Sequence, residues 1–417
     1  MDYSALRKTY TDELTNFYQN GAFPEKTSAD LRFGMDCQRQ RLGKLGLTMT
    51  KKFDKTGAEN AHSKEFIKSP YTYTVTSSRC NYETDFYKDG QFLSRSDVNE
   101  ETLYMGILNK QEDAQARYTC RNCGHNDFLA RFTSGCPMCG TTYEMQQTYP
   151  CVSGYYTRPT VLSKAAYKGM MKFQSWYCTV VGVFFGLLAG LAIADDNNYS
   201  AGEALGMCIF MIILFAGGLT LFGLLVSHVF LGPALAAKKA VQNNQLKDVK
   251  AAAETQTRME AELKQYIPDF SYEYFEEKTM SLLRGIVFSD DREQLTIYDG
   301  QDDLRFMNDI VDVEYRGAIE YVGHTVDQGI LRVNVKALVV CAYYLQGTVS
   351  FHKQTFAMTL SKRIKEEDYG FSIHAVNCKS CGGSFDAIHV STCPYCGVQY
   401  SLVEDHWVVN QITFATM

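Results

Sequence analysis

Several absences narrow the reading of this 417-residue sequence before any motif is considered. There is no dense run of Lys and Arg; 41 Lys+Arg face 47 Asp+Glu, leaving a net charge of −6. A phosphate-backbone footprint is therefore missing, which argues against nucleic acid as a partner. The N-terminal stretch MDYSALRKTYTDEL lacks the apolar core of a signal peptide, and Asp2, Asp12 and Glu13 oppose an Arg-rich presequence. The polar arms are thus expected to stay in the cytosol. The length suits about two or three domains.

Charge is missing altogether from two long apolar runs. Trp176 to Ala194 and Ala204 to Leu231 contain no Lys, Arg, Asp or Glu. Each can supply the roughly 20 apolar residues a helix needs to cross the hydrocarbon layer. The linker Asp195 to Glu203 carries no Lys or Arg, whereas Lys164, Lys168, Lys172, Lys238 and Lys239 lie on the outer flanks. The positive-inside rule predicts a two-helix hairpin with both termini cytoplasmic. Gly182, Gly186 and Gly190 share one helical face and permit close packing, as Gly217, Gly218 and Gly223 do in the second helix. No ionisable group lies mid-span, so the hairpin is expected to anchor rather than transport.

Fourteen cysteines could suggest disulfides, but eight of them form four C-x-x-C pairs. Cys120, Cys123, Cys136 and Cys139 give C-x2-C-x12-C-x2-C; Cys378, Cys381, Cys393 and Cys396 give C-x2-C-x11-C-x2-C. Each pair is followed by Gly, which lets the backbone turn back toward a metal. Two such knuckles per site predict tetrahedral four-thiolate zinc ribbons, one before the hairpin and one near the C-terminus. Four thiolates fill the shell, so both ions are expected to be structural. His125, His374 and His389 lie close in sequence and are read as surface or neighbouring groups. Cys37, Cys80, Cys151, Cys178, Cys208 and Cys341 show no metal spacing.

The segments divide as an N-terminal α+β module (1–115), the first ribbon (116–150), the hairpin (175–232), a helical stalk (233–266), an α+β domain (267–372) and the second ribbon (373–417). Tyr3 to Asn20 reads as a helix ending at Gly21, and Lys88-Asp89-Gly90 as a turn between strands. Pro233 to Gln265 reads as a long helix stopped before Pro268. Alternation predicts strands over Ile310–Val322, Ile330–Tyr344 and Gln354–Arg363, with Gly323 to Gly329 as a hairpin turn.

The stretches PDFSYEYFEEKTMSLLRGIVFSDDREQL, FMNDIVDVEYRGAIEYV, GILRVNVKALVVCAYY and FHKQTFAMTLSKRI resemble the Tim forty-four-like domain of the mitochondrial import-motor scaffold. The resemblance spans Pro268 to Arg363 and implies a nuclear-transport-factor-two-like α+β cone. The order of ribbon, hairpin, Tim-like domain and ribbon is similar to that of bacterial membrane proteins carrying the domain. The mitochondrial scaffold has neither ribbons nor hairpin, so an import role is not carried over.

The expected function is a membrane-anchored, non-enzymatic scaffold that binds a protein partner or lipid at the inner face of the membrane. Phe270, Tyr274, Phe288, Tyr315, Tyr343 and Phe356 are candidate walls of a cone pocket, with plain core packing as the competing role. An acid–base enzyme would have to draw on Asp309, Asp312, Glu314, His324 and His352, converging in the cone. A subunit of a transport or translocation complex is a further alternative. Homo-oligomerisation is left open.

Overall fold

The computed structural model describes residues 3–55, 63–68, 70–110, 117–120, 123–128, 131, 136–140, 149–159, 164–197, 200–226 and 254–414. The chain divides into two compact units, one of residues 1–159 with 248–417, the other of 160–247. The architecture is mixed α+β.

In the larger unit, α1 (Ser4–Asn20) buries Tyr10, Leu14 and Phe17 along one face. It ends at Gly21, whose φ of 79° lets its N–H donate to the Phe17 carbonyl. Helix α2 (Ala29–Lys44) starts at Ser28, whose side chain accepts from Leu31 N and satisfies an otherwise orphaned donor. An antiparallel sheet follows, built from β1 (Leu47–Lys55), β2 (Ser63–Lys68), β3 (Tyr71–Lys88), β4 (Gln91–Lys110) and, after the first cysteine cluster, β7 (Cys151–Pro159). Its order is β1-β3-β4-β7, with β2 pairing β3. The expected turn at Asp89-Gly90 joins β3 to β4.

The smaller unit holds α3 (Lys164–Asp196) and α4 (Ala201–Val226). Each contains 22 residues long and apolar enough to cross a membrane. Gly182, Gly186 and Gly190 face α4 directly: a Cβ on them would lie 2.5, 2.6 and 2.6 Å from the Cα atoms of Ala216, Ile212 and Cys208. Only a residue without a side chain allows this approach. Thr179 and Thr220 add a hydroxyl contact at 3.1 Å. Gly217 and Gly218, by contrast, meet no atom within 4 Å and do not form the seam.

Back in the larger unit, most of the expected stalk helix lies outside the described residues. Its last part, α5 (254–263), is helical and buries Met259 and Leu263. Helix α6 (Tyr272–Phe288) is capped by Ser271 and is buried on nearly every side. Then come β8 (Ile310–Asp327), β9 (Ile330–Leu345) and β10 (Thr348–Arg363), an antiparallel meander.

Two details differ from the sequence reading. The β8–β9 turn is not Gly323–Gly329: the ladder runs on through His324↔Val333 to Asp327↔Ile330, and only Gln328 and Gly329 turn. A bulge between Tyr321 and Gly323 accommodates the glycine inside the strand. Likewise β10 begins at Thr348, directly after a two-residue turn at Gln346-Gly347. The fourth strand of this sheet, β13 (Val408–Phe414), comes from beyond the second cysteine cluster and pairs with β10.

The two sheets share their cores. Helix α2 packs on α6, and Leu42, Leu47, Met49 and Phe86 from the N-terminal stretch cluster with Val311, Ala342 and Val349. Arg41 donates to the carbonyls of Met307 and Ile310 at 3.0 and 3.2 Å, buried between the two parts.

Candidate metal centres and buried polar sites

All eight predicted cysteine ligands assemble into two groups, Cys120–Cys123–Cys136–Cys139 and Cys378–Cys381–Cys393–Cys396, each able to hold a metal ion. Within each group the sulfurs lie within 4.8 Å of one another. Cys120 Sγ and Cys139 Sγ are 3.6 Å apart, Cys123 and Cys136 3.7 Å; the second group repeats these values with Cys378–Cys396 and Cys381–Cys393. A disulfide would bring sulfurs to about 2 Å. A tetrahedral ion with metal–sulfur bonds of about 2.3 Å sets its ligands about 3.8 Å apart, which suits these edges.

The backbone explains why the sulfurs converge. In every knuckle the glycine after the second cysteine donates its N–H to the carbonyl of the first: Gly124 to Cys120, Gly140 to Cys136, Gly382 to Cys378 and Gly397 to Cys393, at 2.8–2.9 Å. All four glycines have φ between 71° and 74°, a conformation in which a Cβ is strained. Short hairpins complete the ribbons: β5 (Arg117–Thr119) with β6 (Asn126–Phe128), and β11 (Val376–Asn377) with β12 (Ser384–Phe385). In each group the first cysteine of each knuckle is buried and the second exposed.

The histidines take other partners. His125 faces Asp127 at 3.6 Å, His374 faces Asp386 at 2.8 Å, and His389 faces Asp291 at 3.0 Å. The second ribbon is built into the main core, where Cys378, Phe385, Ile388 and Cys393 join Trp407. Thr296 N–H also donates to the Ile388 carbonyl at 2.9 Å.

The candidate acid–base residues do not converge. Asp309 is exposed. Asp312 and Glu314 are buried, but Lys51 Nζ lies 2.7 Å from Asp312 and 4.0 Å from Glu314. Gln38 donates to Asp312 at 2.8 Å and Tyr82 to Glu314 at 2.9 Å. Burial alone would lower the Lys51 pKa; the attraction of Asp312 and Glu314 raises it instead. His324 meets the Tyr321 hydroxyl at 2.6 Å and Glu262 at 3.4 Å. His352 is exposed beside Ser350, and its pairing with Cys341 sets it on the face opposite Asp312, which pairs with Ala342. The six candidate wall residues are built into cores: Phe270, Tyr274, Phe288, Tyr315 and Phe356 are buried, and Tyr343 packs against the main cluster.

Two buried carboxylates escaped the sequence reading. Glu276 receives Arg158 at 3.2 Å and the Tyr315 hydroxyl. Glu277 lies in a cradle formed by Gly106 and Gly154, which pair across β4 and β7; a Cβ on Gly106 would sit 2.0 Å from its Oε1. Paired glycines inside strands are the sequence signal for such close approach. No protein-family model, curated protein or solved structure matches this chain.

Burial pushes the Glu277 carboxyl up from 4.5 to about 7, against the Ser153 hydrogen bond at 2.5 Å. A carboxyl whose pKa is higher in the folded state favours folding at low pH, and that contribution is lost as pH rises through about 7. Glu277→Gln is therefore expected to flatten the fall in melting temperature between about pH 5 and 8. An unchanged slope would refute the assignment.

Proposed function

We propose that this chain is a membrane-anchored scaffold or binding protein, with structural zinc in both clusters and α3–α4 as its anchor. The observation that carries this reading is the pair of four-sulfur clusters on one chain with two membrane-length helices. Thiolate sets without an open position suit structural zinc, whose binding contributes on the order of 10–16 kcal/mol to folding. The acidic, Lys-free linker and the flanking lysines support a short outer loop and cytoplasmic arms. Helix α6 with the four-stranded meander sheet is compatible with the Tim-like cone that the stretch 268–363 resembles. In this reading the head binds a protein or lipid at the inner face, and the engagement of Asp312 and Glu314 by Lys51 speaks for a structural role of those carboxylates.

Metal analysis of the full chain purified under reducing conditions is expected to find two zinc ions. Cys120→Ser and Cys378→Ser should each remove one. Because the second cluster lies in the main core, Cys378→Ser should lower the melting temperature more. A metal count near zero would contradict the zinc assignment.

Anchoring is tested in right-side-out vesicles. The chain should resist alkaline extraction, both arms should survive external protease, and an epitope inserted at Asn198 should be accessible. Release by alkali or digestion of the arms would overturn the reading.

A further inference from the structure

A cleft of about 40 Å³ opens where the N-terminal stretch meets α6 and β8; its polar border includes Tyr18, Lys51, Tyr155, Arg284, Asp312 and Glu314. Room for one water takes about 10–15 Å³ by the same measure, so the cleft holds a few heavy atoms. Its hydrogen-bonding capacity is lopsided. The acceptors are occupied: Asp312 Oδ1 takes Gln38 at 2.8 Å and Oδ2 takes Lys51 at 2.7 Å. Glu314 Oε2 takes Tyr82 at 2.9 Å and Oε1 takes Thr84 at 3.4 Å.

The donors are in surplus. Arg284 is half-buried, with its guanidinium 5.7 Å from the centre of the Tyr155 ring. Among the described residues it has no carboxylate or hydrogen-bonding partner. Tyr18 and Tyr155 share a single hydrogen bond at 3.0 Å, which leaves one of the two O–H groups free to donate elsewhere. A guanidinium fork and a free hydroxyl lining one cleft can together hold a planar oxyanion. The fixed charges limit how much negative charge can enter. Lys51 and Arg284 balance Asp312 and Glu314, so a single negative charge is tolerated far better than a doubly charged phosphate. Leu31, Met35, Phe53 and Val313 supply an apolar wall on the same cleft.

We propose that this cleft binds a small monocarboxylate of about two to four carbons, sized by the cavity, with its oxygens on Arg284 and the Tyr18–Tyr155 hydroxyl pair and its alkyl end against the apolar wall. The site depends neither on the metal clusters nor on the membrane anchor.

The test is thermal unfolding of the full chain in detergent, titrated with sodium propionate against sodium chloride at equal ionic strength. Propionate should raise the melting temperature saturably beyond chloride. Arg284→Gln should weaken the response about tenfold or more, as expected for loss of a charged hydrogen bond. Arg284→Lys, which keeps the charge without the fork and guards against a folding defect, should weaken it less. Arg305→Gln, remote and 85% exposed, should leave it intact. No saturable effect beyond chloride, or an undiminished response in Arg284→Gln, would overturn the proposal.

Discussion

Four cysteine sulfurs gathered within 4.8 Å cannot all ionise unless a cation lies among them. That constraint sits at the centre of this fold. The second cluster does more than close a small ribbon, because Cys378 and Cys393 are part of the main core. The chain leaves the cluster through Trp407, a fully buried side chain, and then forms β13 on the edge of the meander sheet. In the proposed account the ion that satisfies the thiolates therefore also fixes how the last strand returns. Among the described residues, the buried Cys120 and Cys136 of the first cluster are not members of that main core.

A second constraint is the buried charge that joins the N-terminal stretch to the C-terminal sheet. Lys51 on β1 faces Asp312 and Glu314 on β8, with Gln38 and Tyr82 completing their bonds. Removing one partner of such a set leaves an uncompensated charge, which typically costs about 3–5 kcal/mol. The two sheets thus form one body held by both apolar packing and a polar network. The cleft beside that network is where the donors exceed the acceptors.

Local signals in the sequence carried over well. Cysteine spacing led to both clusters, because a knuckle needs only a few consecutive residues and one glycine. The uncharged runs led to α3 and α4, and the four-residue glycine spacing led to their seam at Gly182, Gly186 and Gly190. Gly21 stops α1 as its position suggests. Local signals failed where a residue has two uses. Gly323 reads as a turn but sits at a bulge in a continuing strand. What could not be read at all was non-local: Lys51 and Asp312 are 261 positions apart, and nothing near Asp312 announces a buried lysine partner. The same holds for Glu277, whose glycine cradle comes from two other strands. The Tim-like cone expected for 268–363 likewise implies nothing of the N-terminal stretch packed on that segment.

Zinc X-ray absorption on the purified full chain tests the central claim most directly. The account predicts a first shell of four sulfurs at about 2.3 Å around every zinc ion, with no nitrogen or oxygen scatterer. A shell containing nitrogen or oxygen ligands, or cysteines that prove to be paired as disulfides, would contradict it.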